Sequence, residues 1–279
     1  MKTIEQLAGD MQTGAIPAVL KNIVARDVEK SAQAHRIARS LLKLNRDLVT
    51  KGGRALYVVK RGAIVAEGAT EGETVSTYNY TAYSLVTINP TKTRVPIRVT
   101  QESIDASELD VIRGNIEEAG LALADKEDVD ILTVLLAVGT AQEIAAAVTG
   151  TTSRSDLVKL RTKVNVAKFH VKFLVLHPDQ FEDVLNDASF YDTSKYGSRE
   201  PIVNGEVGSI YGMKVLVSEN MTSGKVLAVD PRAAVLAIKR DLDLKRKDAP
   251  EADSTDLYFY MEYKPGIVNS GAIAILTGA

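Results

Sequence analysis

DASELDVIRGNIEEAGLALADKEDVDILTVLLA, residues 105–137, is the stretch whose reading decides the fold. Its apolar residues Leu109, Ile112, Ile116, Ala119 and Leu123 recur at the three-and-four spacing of one helix face. Glu108 follows Asp105 by three residues, a capping-box-like start that sets carboxylates at the positive end of the helix dipole. Gly114 and Gly120 each cost about 1 kcal/mol against alanine, so packing rather than local propensity must hold this helix. At about 1.5 Å per residue the segment would be a rod close to 50 Å long. A compact enzyme of this size rarely needs such a rod.

Working outward, the 279-residue chain is 45% hydrophobic and 25% charged, a soluble globular balance that allows one large domain or two modest ones. A net charge of -2 supplies no global basic field for gripping nucleic acid. The charge is unevenly placed, however. Between Lys21 and Arg54 stand nine Lys or Arg against three acids. The absence of cysteine removes disulfides, thiolate metal sites and thiol nucleophiles. No apolar run reaches the ~18 residues of a membrane span, and the opening MKTIEQLAGDM lacks the apolar core of a secretory signal. The expectation is a protein made in the cytoplasm.

Before the rod, the pattern from Ile16 to about Leu48 is helical, with Ile37, Leu41, Leu44 and Leu48 in register and basic residues between them. Those cations read either as a solvated face or as an arm lying on another subunit or on nucleic acid. Gly52-Gly53 ends that helix, and RALYVVK (54–60) is a strand. Residues 62–89 are rich in Thr, Tyr and Val and contain Glu67, Glu71 and Glu73 but no Lys or Arg. They read as a two-stranded excursion projecting from the body. TKTRVPIRVT (91–100) is a strand in which Pro96 marks an edge position.

After the rod, residues 139–148 carry a short helical pattern, and Ser153 or Ser155 can cap the helix SDLVKLRTKV. KFHVKFLVL (168–176) is a strand entering a core, followed by a helix opened by His177-Pro178-Asp179. Residues 191–207 read as a surface loop. GSIYGMKVLVSE (208–219) pairs with KVLAV (225–229), residues 239–256 form an exposed loop or strand edge, and LYFYMEYK (257–264) is a strand. The class is α+β, without the strict alternation of a doubly wound sheet.

No phosphate loop, dinucleotide fingerprint or nucleophile elbow occurs. With three histidines in all, and His170 and His177 on opposite faces of one strand, neither a metal site nor a nucleophile–base pair assembles. Glu117 and Glu118 point in different directions on their helix, a solvated face and not an acid–base dyad. The expectation is no catalytic, cofactor-binding or metal-binding residue, and no enzyme activity.

The order of parts resembles the major capsid proteins of tailed viruses, the Hong Kong 97-type capsid fold. Ala66-Glu67-Gly68-Ala69 sits where that family often writes Glu-Gly-Ala in its extended loop, and TKTRVPIRVTQESID (91–105) looks like the approach to its spine helix. The block FHVKFLVLHPDQFEDVLND (169–187), then GSIYGMKVLVSENM (208–221) and VLAVDPRAAVLAI (226–238), resembles the core of its apical domain. The resemblance implies a shell subunit with an N-terminal arm (1–53), an extended loop (54–91), a peripheral domain with the spine helix (92–136), an apical domain (137–240) and a return to the peripheral domain (241–279).

It further implies hexamers and pentamers of this chain closing an icosahedral virion around double-stranded DNA, with portal and scaffolding proteins as partners, no cofactor and no membrane. Glu67, Glu71 and Glu73 become candidates for inter-subunit contact with Arg94 and Arg98. Lys21, Arg26, Lys30, Arg36, Arg39, Lys43 and Arg46 become basic residues of the arm or of the shell interior. Because the loop has no lysine between Arg61 and Lys92, a shell welded through a loop lysine is not expected, and an arm of about fifty residues points to a separate scaffold or none. The second reading within the same resemblance is an encapsulin-type nanocompartment shell holding a cargo enzyme.

Overall fold

The computed structural model describes residues 36–61, 71, 83–100, 102, 110–186 and 209–279. The capping pair Asp105 and Glu108, the arm before residue 36 and the loop 191–207 lie outside the described residues. In chain order, a 3-10 turn (Ala38–Leu41) leads to β1 (Lys43–Asn45) and the short helix α1 (Asp47–Lys51). Next come β2 (Leu56–Arg61), β3 (Tyr83–Ile88), β4 (Thr91–Thr100) and the long helix α2 (Asp110–Leu136). A second 3-10 turn (Thr140–Gln142), β5 (Glu143–Ala145), α3 (Arg154–Val166), β6 (Phe173–Leu176) and α4 (Pro178–Asn186) follow. The chain closes with β7 (Ser209–Ile210), β8 (Met213–Val217), β9 (Lys225–Val229), β10 (Ala234–Ala249), β11 (Ser254–Ile267) and β12 (Ile273–Thr277).

α2 is the expected rod. Its 27 described residues run as one α-helix through both Gly114 and Gly120, about 40 Å at the usual rise. Ala119, Leu123, Ile131, Leu132 and Leu135 are buried at three-and-four spacing and pack on a four-stranded sheet ordered β1-β10-β11-β4. Along β11, Leu257, Phe259, Met261 and Tyr263 face that helix, as the two-residue period of a strand requires. β4 is an edge strand, which accommodates Pro96 opposite Tyr258 without losing a ladder bond.

The second sheet is six-stranded, β5-β12-β9-β6-β8-β7. It is apolar on both faces, and each face belongs to a different core. Val175, Leu227, Val229, Ile273 and Ile275 point into the core shared with α2, whereas Leu174, Leu176, Val226, Ala228, Ala274 and Leu276 meet α3 and α4. That double burial is why 168–176 loses its alternation as it runs inward.

Several expectations change here. The helix expected to continue to Leu48 is replaced by the 3-10 turn, β1 and α1. β1 pairs parallel with β10, Lys43 opposite Val235 through Asn45 opposite Ala237, and only an extended backbone can offer those bonds. Residues 139–148 form a turn and β5 rather than a helix, since β5 extends the second sheet beside β12. Of the two readings for the segment from 239, an exposed loop or a strand edge, the strand is found: it continues β10, paired with β11 as far as Ala249 opposite Ser254. Ser153 stands at the N-cap of α3, but its hydroxyl bonds the Asp156 carboxylate at 2.6 Å instead of a backbone amide. Finally, β12 joins the sheet built from 143–229, although 241–279 was expected to return whole to the part containing α2.

β2 and β3 pair from Leu56 opposite Ile88 to Arg61 opposite Tyr83, the expected two-stranded excursion at its root. Leu56 and Ile88 are buried there with Leu48 and Ala237. Gly266 makes this seat possible: a Cβ at that position would stand 2.4 Å from Ile88 Cδ1 and 2.5 Å from its Cγ1. Gly266→Ala is therefore expected to destabilise the subunit by roughly 1–3 kcal/mol through overpacking. In an Ile88→Ala background the same change should cost much less. Equal costs in both backgrounds, read by urea unfolding, would show that the contact does not matter.

Candidate assembly interface

The residues singled out for the arm separate into two groups. Lys21, Arg26 and Lys30 lie outside the described residues. Arg36 and Arg39 turn inward, whereas Arg46 is exposed. Arg36 Nε lies 3.0 Å from Glu127 Oε2, and Arg39 Nε donates to Glu127 Oε1 at 2.7 Å, with Glu127 fully buried on α2. Arg39 also reaches Asp241 at 3.0 Å, and Arg46 meets the same carboxylate at 2.8 Å. Burial alone would lower the Arg39 guanidinium's pKa, but Glu127 and Asp241 more than offset it and hold it above its ordinary value. Lys43 stays exposed.

The neighbouring carboxylate on α2 completes a clasp. Asp128 accepts the backbone N–H of Ile37 at 2.9 Å and of Ala38 at 3.1 Å. These two donors open the 3-10 turn and have no earlier helical carbonyl to use. Burial pushes the Asp128 carboxyl up to about 6, against the two amides that stabilise its anion. Glu127 and Asp128 together thus fix residues 36–39 against α2. Sequence reasoning gave these two acids no role, because their partners lie about ninety positions earlier in the chain.

The face of the first sheet that turns away from α2 carries the loop-contact candidates. Arg98 is not available as a lone cation. Its Nε and Nη2 grip Asp256 Oδ1 and Oδ2 at 2.7 and 3.0 Å across the β4–β11 register, and this guanidinium holds the Asp256 carboxyl below the usual range. Arg94 is exposed four residues earlier on the same face of β4, opposite Tyr260. It lines an open cleft of about 170 Å³ with Lys92, Lys245, Tyr258 and Tyr260. Lys92 Nζ lies 4.2 Å and Lys245 Nζ 5.4 Å from the centre of the Tyr260 ring. The Tyr260 hydroxyl donates to Asp243 and accepts from Arg240 at 3.1 Å.

Lys92, Lys245 and the two tyrosines were missed in the sequence because they come from three strands. Glu71, the one described member of the acidic trio, is exposed, while Glu67 and Glu73 lie outside the described residues. Among the described residues, Glu71 forms no ion pair with Arg94 or Arg98.

A second unpartnered surface is the outer face of β2–β3. Tyr57, Val59, Tyr83 and Leu85 share that face and are 62%, 54%, 67% and 59% exposed. Four large apolar side chains exposed together on one face of a two-stranded ribbon are the kind of patch that marks protein contacts. Among the described residues no group of His, Asp and Glu is placed to hold a metal ion, and no helix is long and apolar enough to cross a membrane.

Comparison with known proteins gives these surfaces a context. A family model described as "Phage capsid protein" matches residues 96–275. Among solved structures, the chain is similar to the capsid of the cyanophage P-SCSP1u, with 13% identity over 87% of this chain and 88% of that one and a TM-score of 0.70. It is similar to a structure of Mycobacterium phage Che8, with 15% identity over 87% and 91% of the two chains and a TM-score of 0.67. It is also similar to a virus-like particle from Pyrococcus furiosus, with 14% identity over 91% and 98% and a TM-score of 0.64. At such identities the likeness shows the fold. No curated protein matches the chain.

Proposed function

Because the chain belongs to the phage capsid protein family and has the Hong Kong 97-type fold, a shell protein with a structural role, we propose that it is the major subunit of a virion whose hexamers and pentamers enclose double-stranded DNA. The observation that carries this reading is the pair of unpartnered surfaces on one subunit: the apolar outer face of β2–β3 and the cationic cleft on the first sheet. Residues 1–53 serve as the arm, 54–91 as the extended loop, 92–136 with most of 241–279 as the peripheral domain, and 137–240 as the apical domain.

The clasp of Glu127 and Asp128 supports an arm that leaves the body at a defined point. The α2 rod supports a flat wedge whose long edges are contacts with other copies. The partners in this reading are further copies of the chain, portal and scaffolding proteins, and DNA held by non-specific contact, with assembly in the host cytoplasm. The likeness to a virus-like particle of Pyrococcus furiosus favours a second reading, a nanocompartment shell around protein cargo.

The test is to express the chain and image it by electron microscopy. Closed or tubular shells are the expected result, and a monodisperse monomer under every assembly condition would overturn both readings. Nuclease-protected double-stranded DNA in particles from infected or induced cells decides between genome and protein cargo.

A further inference from the structure

The cations on the face of the first sheet that turns away from α2 fall into two groups. Arg98 grips Asp256, and Arg240 lies 3.4 Å from Asp243 and 3.8 Å from Glu262. Lys92, Arg94 and Lys245 have no carboxylate partner among the described residues, although Glu262 is opposite Lys92 and Asp243 is opposite Tyr260 in the register. Both acids are already engaged, Glu262 by Arg240 and Asp243 by Arg240 and the Tyr260 hydroxyl. Three like charges gathered at one cleft repel one another, a cost that a bound anion would offset.

The cleft has a fixed floor. Tyr260 is 2% exposed, and its hydroxyl is tied to Asp243 and Arg240, so the ring is held from below. Lys92 Nζ and Lys245 Nζ lie 4.2 and 5.4 Å from the centre of that ring, which carries their stems and leaves the ammonium groups free to turn to a ligand. Arg94 adds a planar donor fork. The volume of about 170 Å³ accommodates a small tetrahedral anion and some of its waters, at about 30 Å³ for each water.

We propose that this cleft is a binding site for one phosphate group, held by the Arg94 guanidinium and by the ammonium groups of Lys92 and Lys245. Charge selects this ligand. A single carboxylate would leave two of the three cations uncompensated, whereas a phosphate dianion leaves one. A nucleic-acid strand fits less well, because Asp243, Asp256 and Glu262 on the same face repel a long polyanion lying across it. The site belongs to the single subunit, goes beyond the shell reading and does not depend on it.

The test is isothermal titration of the full chain, at subunit concentrations below assembly and constant ionic strength, with inorganic phosphate. Saturable binding is expected for the parent. Arg94→Gln with Lys245→Gln should weaken it more than about tenfold, through the loss of two charge-assisted contacts. Lys172→Gln with Lys214→Gln removes two exposed cations of the second sheet and should leave it unchanged. Circular dichroism checks that each variant is folded. Should the double variant in the cleft fail to fold, Lys92→Gln and Arg94→Lys singly replace it, and each should weaken binding measurably.

No saturable binding by the parent would overturn the site, as would equal binding by the parent and the cleft variants, or an equal loss in the second-sheet control. Adenosine monophosphate distinguishes the source of the phosphate. Affinity equal to that of inorganic phosphate assigns the site to the free ion, and tighter binding assigns it to a phosphate carried on a nucleotide; both uphold it. Binding of a double-stranded DNA oligonucleotide that the cleft variant loses, with no binding of inorganic phosphate, would overturn it in favour of a phosphodiester polymer.

Discussion

Replacing Glu127 with alanine is expected to cost about 3–5 kcal/mol of subunit stability, because it removes the buried carboxylate that two inward-facing guanidinium groups share. Glu127 is fully buried, and the side chains of Arg36 and Arg39 are only 4% and 12% exposed. Removing Glu127 takes the buried counter-charge from Arg36 and leaves Arg39 with the partly exposed Asp241. Replacing the whole triad by apolar residues, Arg36→Met with Arg39→Met and Glu127→Leu, should cost less than Glu127→Ala alone. Urea unfolding at subunit concentrations below assembly is the measurement. An unchanged midpoint for Glu127→Ala would mean that the clasp contributes nothing to the fold. In assembly, the same variant should release the arm at residues 36–39, seen as new proteolytic cleavage there while α2 stays protected.

The second large effect concerns β11, a strand whose two faces do different jobs. Phe259 is fully buried between the first sheet and α2, so Phe259→Ala should cost about 3–5 kcal/mol through lost burial and the cavity left behind. Tyr258, the adjacent residue, points to the opposite face and lines the cationic cleft. Tyr258→Ala should stay within about 1 kcal/mol of the parent in unfolding. Similar unfolding costs for the two variants, or a larger cost for Tyr258, would show that the strand's faces are assigned the wrong way round.

Much of this architecture is legible in the sequence where the determining contacts are local or periodic. The spacing of Ala119 and Leu123 with the later leucines announces α2, the run SDLVKLRTKV announces α3, and Pro178 sits at the first position of α4 as expected. The strand pairing on either side of the acidic segment also follows from composition, since β-favouring residues flank it on both sides. The failures have a common cause. Ile37, Leu41, Leu44 and Leu48 keep helical spacing, yet the backbone there is partly extended because β10 and Asp128 offer hydrogen-bond partners from far along the chain. Residues 239–249 read by charge as an exposed loop or a strand edge, and pairing with β11, with register shifts between Ile238 and Asp243, makes them strand.

The charged residues show the same division most clearly. A count of cations between Lys21 and Arg54 detects an unusual stretch, but whether a given arginine faces a partner or a carboxylate of its own chain depends on what the fold sets beside it. Arg36 and Arg39 close on Glu127, Arg98 closes on Asp256, and Arg94 is left open in a cleft built from three strands. By itself the sequence determined the α+β class, the rod, the projecting two-stranded element and the membership that its motif order suggested, because periodicity and composition act over short spans of chain. Only the tertiary structure decided which charges are satisfied within the subunit and which stay open at its surface. Ion pairing and desolvation are set by distances between segments about ninety or more residues apart, and those distances exist only once the chain has folded.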